Sequence, residues 1–165
     1  MEDTLILEHH QISLKLDRIA WQIIEQHCSE DEIVLIGLAD RGFDVAEKIY
    51  NRIIKNTNSN VHLLHLLLDK SAPLTEPIII ESNEKISHRA IILVDDVLNS
   101  GITMAAAFKK ALEFKPKSVR TAVLANRDHH KFPIQANYVG ISLATTLKEH
   151  ISYSEVNGEM SITLR

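Results

Sequence analysis

An apolar run ends in two adjacent carboxylates, Asp95 and Asp96, and passes at once into Val97-Leu98-Asn99-Ser100-Gly101-Ile102-Thr103, a loop rich in hydrogen-bonding groups. Residues 91–94 have the β-branched density of a strand buried on both faces, and 102–115 is Ala-rich with a helical period. Asn99, Ser100 and Gly101 therefore mark a strand-to-helix turn. In parallel α/β sheets, ligands collect beyond the carboxyl ends of strands, where helix N-termini present unpaired N–H groups to anions. Gly101 permits a tight turn whose amides, with those of Leu98, Asn99 and Ile102, converge on a phosphate, and the Ser100 and Thr103 hydroxyls add donors. Asp95 and Asp96 are expected on the rim of that crevice, where carboxylates accept from the hydroxyls of a sugar. No Lys follows the loop as it does in GxxxxGK[ST], so the expected anion is one terminal monophosphate and not a triphosphate.

Alone, the two acids would fit a helix cap with a solvated neighbour as well as a ligand site. A second turn shifts the balance. The strand Ile33-Val34-Leu35-Ile36-Gly37-Leu38 runs into Ala39-Asp40-Arg41-Gly42 and then into an amphipathic helix. A guanidinium at Arg41, beside the backbone of Asp40 and Gly42, suits a more highly charged anion such as pyrophosphate. Two anion-binding turns with a diol-binding carboxylate pair between them describe one ligand, 5-phosphoribosyl 1-pyrophosphate (PRPP).

The elements that must position these residues read as one doubly wound α/β unit with a mainly parallel sheet, a single domain over 1–165. Ile12, Leu16, Ile19, Ala20, Ile23 and Ile24 give the first helix one apolar face, and it ends before Ser29. Strands read at 33–38, 61–68, 90–95, 119–125 and 138–141, with helices at 43–56 and 102–115. The stretch 69–77, broken by Pro73 and Pro77, reads as a loop between strands. Alternation at 151–156 and 160–164 around Asn157-Gly158 indicates a terminal β-hairpin, expected as a flap added to the sheet.

Val94-Asp95-Asp96-Val97-Leu98-Asn99-Ser100-Gly101-Ile102-Thr103 resembles the PRPP-binding motif of type I phosphoribosyltransferases. Ile6-Leu7-Glu8, the first-helix run from Leu16 through Arg18 and Trp21 to Glu25, and the run from Ala122 through Asn126-Arg127-Asp128-His129-His130 to Gly140 extend the likeness. They resemble, in order, the landmarks of the bacterial pyrimidine-operon regulator/uracil phosphoribosyltransferase subfamily. The resemblance implies the type I fold, a loop at 69–77 that closes as a hood over PRPP, and a homodimer or higher homo-oligomer. It also implies transfer of the phosphoribosyl group to a nucleobase, most naturally uracil or a related pyrimidine, with loss of pyrophosphate.

Displacement at an anomeric carbon passes through an oxocarbenium-like state and needs no enzyme nucleophile, so positioning and electrostatics carry the rate. Arg41 would stabilise the departing pyrophosphate, Asp95 and Asp96 would anchor the ribose diol, and the 98–103 loop would hold the 5′-phosphate. The base is expected near Ala125, Asn126 and Arg127, at the end of the following strand. Pyrophosphate transfer calls for a hard cation with few protein ligands, so Mg²⁺ is the expected cofactor, held by Asp95 and Asp96 only through ribose or water. The spacing of the nine histidines does not suggest a zinc site.

The chain departs from the family pattern at several positions. Asn99 stands where 6-oxopurine enzymes carry an acid and the pyrimidine regulators a Tyr, and an amide cannot serve as a base. Asn126 replaces an Asp, Ala39-Asp40 replaces Lys/Arg-Thr, Ile102 replaces Gly or Arg, and the hood lacks a Tyr-Arg-Asp-Asp-like stretch. A purine-type enzyme and a nucleotide-sensing RNA-binding regulator with little catalysis remain open as alternatives. A receiver domain fits less well, because its acids would follow the first strand. Weak RNA binding at most is expected, since Asp17-Arg18 stands where the regulators carry Thr-Arg.

Composition agrees with a small enzyme. The chain has 165 residues, 45% of them apolar, and a net charge of −4, which gives no generic field for nucleic acid. Met1-Glu2-Asp3 lacks the basic start of a signal peptide, and no apolar run approaches a membrane span. Cys28 is the only cysteine, so no internal disulfide forms, which fits a reducing cytoplasm.

Overall fold

The β-branched runs pair side by side as buried parallel strands. A computed structural model describes residues 3–81, 86–145 and 149–165. Its elements are β1 (Thr4–Leu7), α1 (His9–Gln26), β2 (Glu32–Leu38), α2 (Ala39–Ile53), β3 (Asn60–Leu67), β4 (Ile79–Glu81), β5 (Ala90–Leu98), α3 (Ile102–Leu112), β6 (Ser118–Arg127), β7 (Tyr138–Leu143), β8 (Ile151–Val156) and β9 (Glu159–Leu164). The main sheet has the order β4-β3-β2-β5-β6-β7. All its pairings are parallel except β3 with β4, so the fold is the expected doubly wound α/β sheet with one antiparallel edge.

Successive strand residues enter opposite cores, as a pleat buried on both faces requires. Ile33 and Leu35 pack with Ile12, Leu16, Ile19 and Ile23 of α1 and with Val45, Ile49 and Ile53 of α2. Val34 and Ile36 pack on the other side with Met104, Ala107 and Ala111 of α3. Truncating a fully buried residue such as Ile49 to Ala would cost about 2–5 kcal/mol.

Several bounds differ from the sequence expectation, each for a physical reason. Helix α2 begins at Ala39 and not at residue 43, so Asp40, Arg41 and Gly42 form its first turn. Strand β5 runs on through both acids to Leu98, because they are buried and continue the ladder with β6. Strand β4 follows directly on the Pro-broken segment as a short edge. The terminal hairpin does not join the main sheet. It pairs with β1 in a separate antiparallel sheet of order β1-β9-β8, which brings the two ends of the chain together.

Candidate functional site

Strands β2 and β5 are the neighbours at which the strand order reverses, and ligands of open α/β sheets collect at the carboxyl ends of such a pair. Pairing of Gly37 with Val94 sets the turn after β2 beside Asp95. A Cβ on Gly42 would lie 2.9 Å from Asp95 Oδ1 and from the Val94 carbonyl oxygen, so glycine is what lets the first turn of α2 rest on the acid. The turn itself is strained: Ala39 has a φ of 50°, in the left-handed region. His65 of β3 donates from Nε2 to the Ala39 carbonyl oxygen at 3.0 Å and stacks on Phe43.

The second turn is built differently. Gly101, with φ 85°, is the N-cap of α3 and offers no side-chain acceptor, which leaves amides of the first helical turn to meet an anion. The Ser100 hydroxyl accepts from the Ile102 amide at 3.3 Å, so that donor is already shared locally. The Ser100 carbonyl accepts from the amides of Lys131 and Phe132, both at 3.0 Å, which fixes the loop against the segment after β6.

Between the turns lie the acids, and they are buried in the end of β5 instead of standing on a rim, at 2% exposure for Asp95 and 5% for Asp96. The Asp96 amide donates to Asp95 Oδ1 at 2.9 Å. Lys70, from the loop after β3, bridges the pair with Nζ 2.8 Å from Asp95 Oδ1 and 3.1 Å from Asp96 Oδ1. Burial pushes the Asp95 carboxyl up to about 8, against the pull of the ammonium. Burial acts the same way on Asp96, but the hydrogen bond with Asp95 and the Lys70 charge outweigh it and hold Asp96 below the usual carboxylate range. The two shifts have opposite sign, so Asp96 is the more acidic member of the pair and the one that more readily keeps its charge against the ammonium.

One cavity of about 590 Å³ joins all of this: Asp40 and Arg41 from the first turn, Asp95 and Asp96, and Leu98, Asn99, Ser100, Gly101, Ile102 and Thr103 from the second. Two helix N-termini and the acid pair therefore line one cavity. The phosphoribosyl transferase domain model matches residues 4–155. The chain belongs to this family. A "Bifunctional protein PyrR" of Elusimicrobium minutum is 34% identical, with 98% of this chain and 96% of the relative covered. One of Clostridium acetobutylicum is 36% identical over 89% of this chain and 87% of its own length. Among solved structures, the hypoxanthine phosphoribosyltransferase of Trypanosoma cruzi superposes with a TM-score of 0.79, covering 96% of this chain and 95% of its own, at 14% identity. That likeness shows the type I fold.

In this phosphoribosyltransferase the expected phosphate and diol residues come together, and Gly42 backs the cavity without lining it. The expected base residues do not join them. Asn126 lines a different cavity, of about 710 Å³, with His130, Lys131 and Phe132 of the segment that holds Ser100. Its amide is engaged by Ser142 Oγ at 3.2 Å and His130 Nε2 at 3.0 Å. Arg127 donates to Thr145 Oγ1 at 2.8 Å, and Ala125 is buried in the core.

Beyond the immediate chain neighbours of the expected residues, the cavity is also lined by Lys70, by His150, and by Ile151 and Ser152 at the start of β8, none of which the sequence pointed to. Asn99 Oδ1 is buried and has no donor among the described residues. Among those residues no group of three or more His, Cys, Asp or Glu side chains could hold a metal, and no helix is long and apolar enough to cross a membrane. For a hard cation the fit is therefore limited to the oxygens of Asp95 and Asp96, which suits an ion bound chiefly by substrate oxygens and water.

Proposed function

We propose that the protein transfers the 5-phosphoribosyl group of PRPP to uracil or a closely related pyrimidine, with release of pyrophosphate. The observation that carries this reading is the placement of the Asp95–Asp96 pair between two helix N-termini in one cavity, at the point where the strand order reverses. In it, Arg41 and the first-turn amides of α2 bind and steady the departing pyrophosphate, while the loop 98–103 holds the 5′-phosphate. The carboxylates take the ribose hydroxyls and lie close to the positive charge that develops on the ring. A Mg²⁺ ion carried in with PRPP, held at Asp95 and Asp96 through ribose or water, would supply charge neutralisation of the pyrophosphate. Residues 1–165 act as one domain, and the exposed Leu14 and Trp21, seven residues apart on α1, suit a contact between copies.

The landmarks that resemble the pyrimidine-operon regulators favour a pyrimidine over a purine, and Asn99 weakens the purine reading because its amide cannot take a proton from a purine nitrogen. A panel of free uracil, cytosine, hypoxanthine and guanine, each with PRPP and Mg²⁺, tests this by pyrophosphate release. Release with uracil is the expected result. Release only with the purines would replace this reading with the purine one.

A further inference from the structure

We infer that Lys70 sets a preference for PRPP over a nucleoside 5′-monophosphate by exchanging partners, from the Asp95–Asp96 pair to the pyrophosphate group, when the ribose diol arrives on the acids. The inference rests on the phosphoribosyl reading of the site and assigns a specificity role to a residue outside both phosphate turns.

Three observations support it. First, the ammonium sits on Oδ1 of both acids, the carboxyl pair assigned above to the ribose diol. A diol arriving on the same pair competes with the ammonium for the carboxyl oxygens, so a ligand that binds through its ribose weakens their hold on Lys70. Second, the displaced charge has somewhere to go with only one of the two ligands. Leu68 and Asp69 border Ala39 and Asp40, and Lys70 lines the same cavity as Ala39, Asp40 and Arg41. The pyrophosphate turn is short of cations: position 39 carries a methyl group, and Asp40, whose side chain is 98% exposed, adds negative charge. Arg41 is the one cationic side chain within residues 39–42. Third, the backbone at Lys70 is held by its neighbours, so an exchange of partners requires only the side chain to move. Asp69 Oδ1 accepts from the Ser71 amide at 2.8 Å and from the Ser71 hydroxyl at 2.6 Å, closing an Asx turn around the lysine.

A nucleoside monophosphate fills the diol and 5′-phosphate positions but places no anion at residues 39–42. It competes with Lys70 for the acid pair and offers no anion in exchange. PRPP supplies the replacement partner in the same binding event. The lysine therefore opposes the product nucleotide and favours the substrate, a difference that a purely structural side chain would not produce.

Calorimetric titration of the wild-type chain, Lys70→Met and Lys70→Arg with PRPP and with uridine 5′-monophosphate, at fixed Mg²⁺, tests this. In Lys70→Met, PRPP is expected to bind about tenfold more weakly, the scale of one charge-assisted contact, while the monophosphate binds more tightly. Lys70→Arg keeps the charge and is expected to restore the wild-type order. Affinities for both ligands that move in the same direction, or that do not move, overturn the inference. A wild-type chain that binds neither ligand overturns the phosphoribosyl reading itself, and this inference with it.

Discussion

His65 holds the carbonyl of Ala39, the one residue of the α2 entry whose backbone is left-handed: Nε2 donates to that oxygen at 3.0 Å, across 26 residues of sequence. An alanine in this region costs about 1–2 kcal/mol, so a partner that pins it has a conformational task. Removing the donor with His65→Leu is expected to let the turn relax and to raise the KM for PRPP several-fold, while uridine monophosphate affinity stays near wild type. Ala39→Gly relieves the Cβ strain and is expected to restore part of the loss. Steady-state kinetics on the two single variants and the double variant provide the check, and a uniform loss for both ligands would count against a role confined to this turn.

Arg41→Ala should weaken PRPP far more than a nucleoside monophosphate, because the monophosphate leaves the α2 end of the cavity without an anion. Loss of one charge-assisted contact corresponds to about 1.5–3 kcal/mol. Calorimetric titration with both ligands reads the difference directly, and equal losses would contradict a cavity with two separate anion ends.

At the opposite end of the sheet, His27 is buried at the end of α1, with its Nε2 3.3 Å from Tyr138 Oη. Burial, helped by the nearby Arg120 charge and opposed by Glu30, holds its pKa below that of an ordinary histidine. The folded state therefore disfavours the charged ring. The stability linked to it is present above the unfolded value and is lost as the pH falls from about 6.5 through the lower folded value. Urea midpoints at pH 7.5 and pH 5.5 are expected to differ by more in the wild type than in His27→Gln. An identical pH dependence in both would remove His27 from the account.

The two α1 residues at the position of the RNA-regulator landmark are both occupied within the fold. Asp17 Oδ1 accepts from Arg52 Nε at 2.6 Å, and Arg18 donates to the carbonyl oxygens of Val139 and Gly140, at 3.0 and 2.6 Å, along the edge strand β7. A guanidinium used to cap a sheet edge is not free for a phosphate, and the net charge of −4 supplies no compensating field. Filter binding to pyrimidine-operon leader RNA at moderate salt, with uridine monophosphate present, should show weak retention at most. Tight, sequence-selective retention would mean that these contacts yield to RNA.

The site was legible in the sequence to the extent that its residues are neighbours along the chain. Ile91-Ile92-Leu93-Val94 declares a buried strand by its composition, and Asn99-Ser100-Gly101 declares the turn, so the phosphate loop could be placed with its acids. The burial of Asp95 could not be read, because the first turn of α2, far away in sequence, packs on it through Gly42. Lys70 carried no signal in a segment broken by Pro73 and Pro77, since its partners are 25 and 26 residues downstream. The Asn157-Gly158 turn announced the hairpin, while its pairing with the four-residue β1 depends on contacts between the two ends of the chain. Asn126 and Arg127 were placed at the end of the right strand, but Ser142, His130 and Thr145 engage their side chains, and no local pattern foretells that.

The central claim is that the buried acid pair serves phosphoribosyl transfer to a pyrimidine. Pyrophosphate release from PRPP with uracil and Mg²⁺, measured for the wild-type chain and for Asp95→Asn/Asp96→Asn, tests it most directly. The expected result is uracil-dependent release by the wild type, about a hundredfold or more slower in the double variant if both acids contribute about 1.4 kcal/mol or more each, with a thermal melt showing the variant still folded. Release at the wild-type rate from the folded variant, or no uracil-dependent release from the wild type, would contradict it.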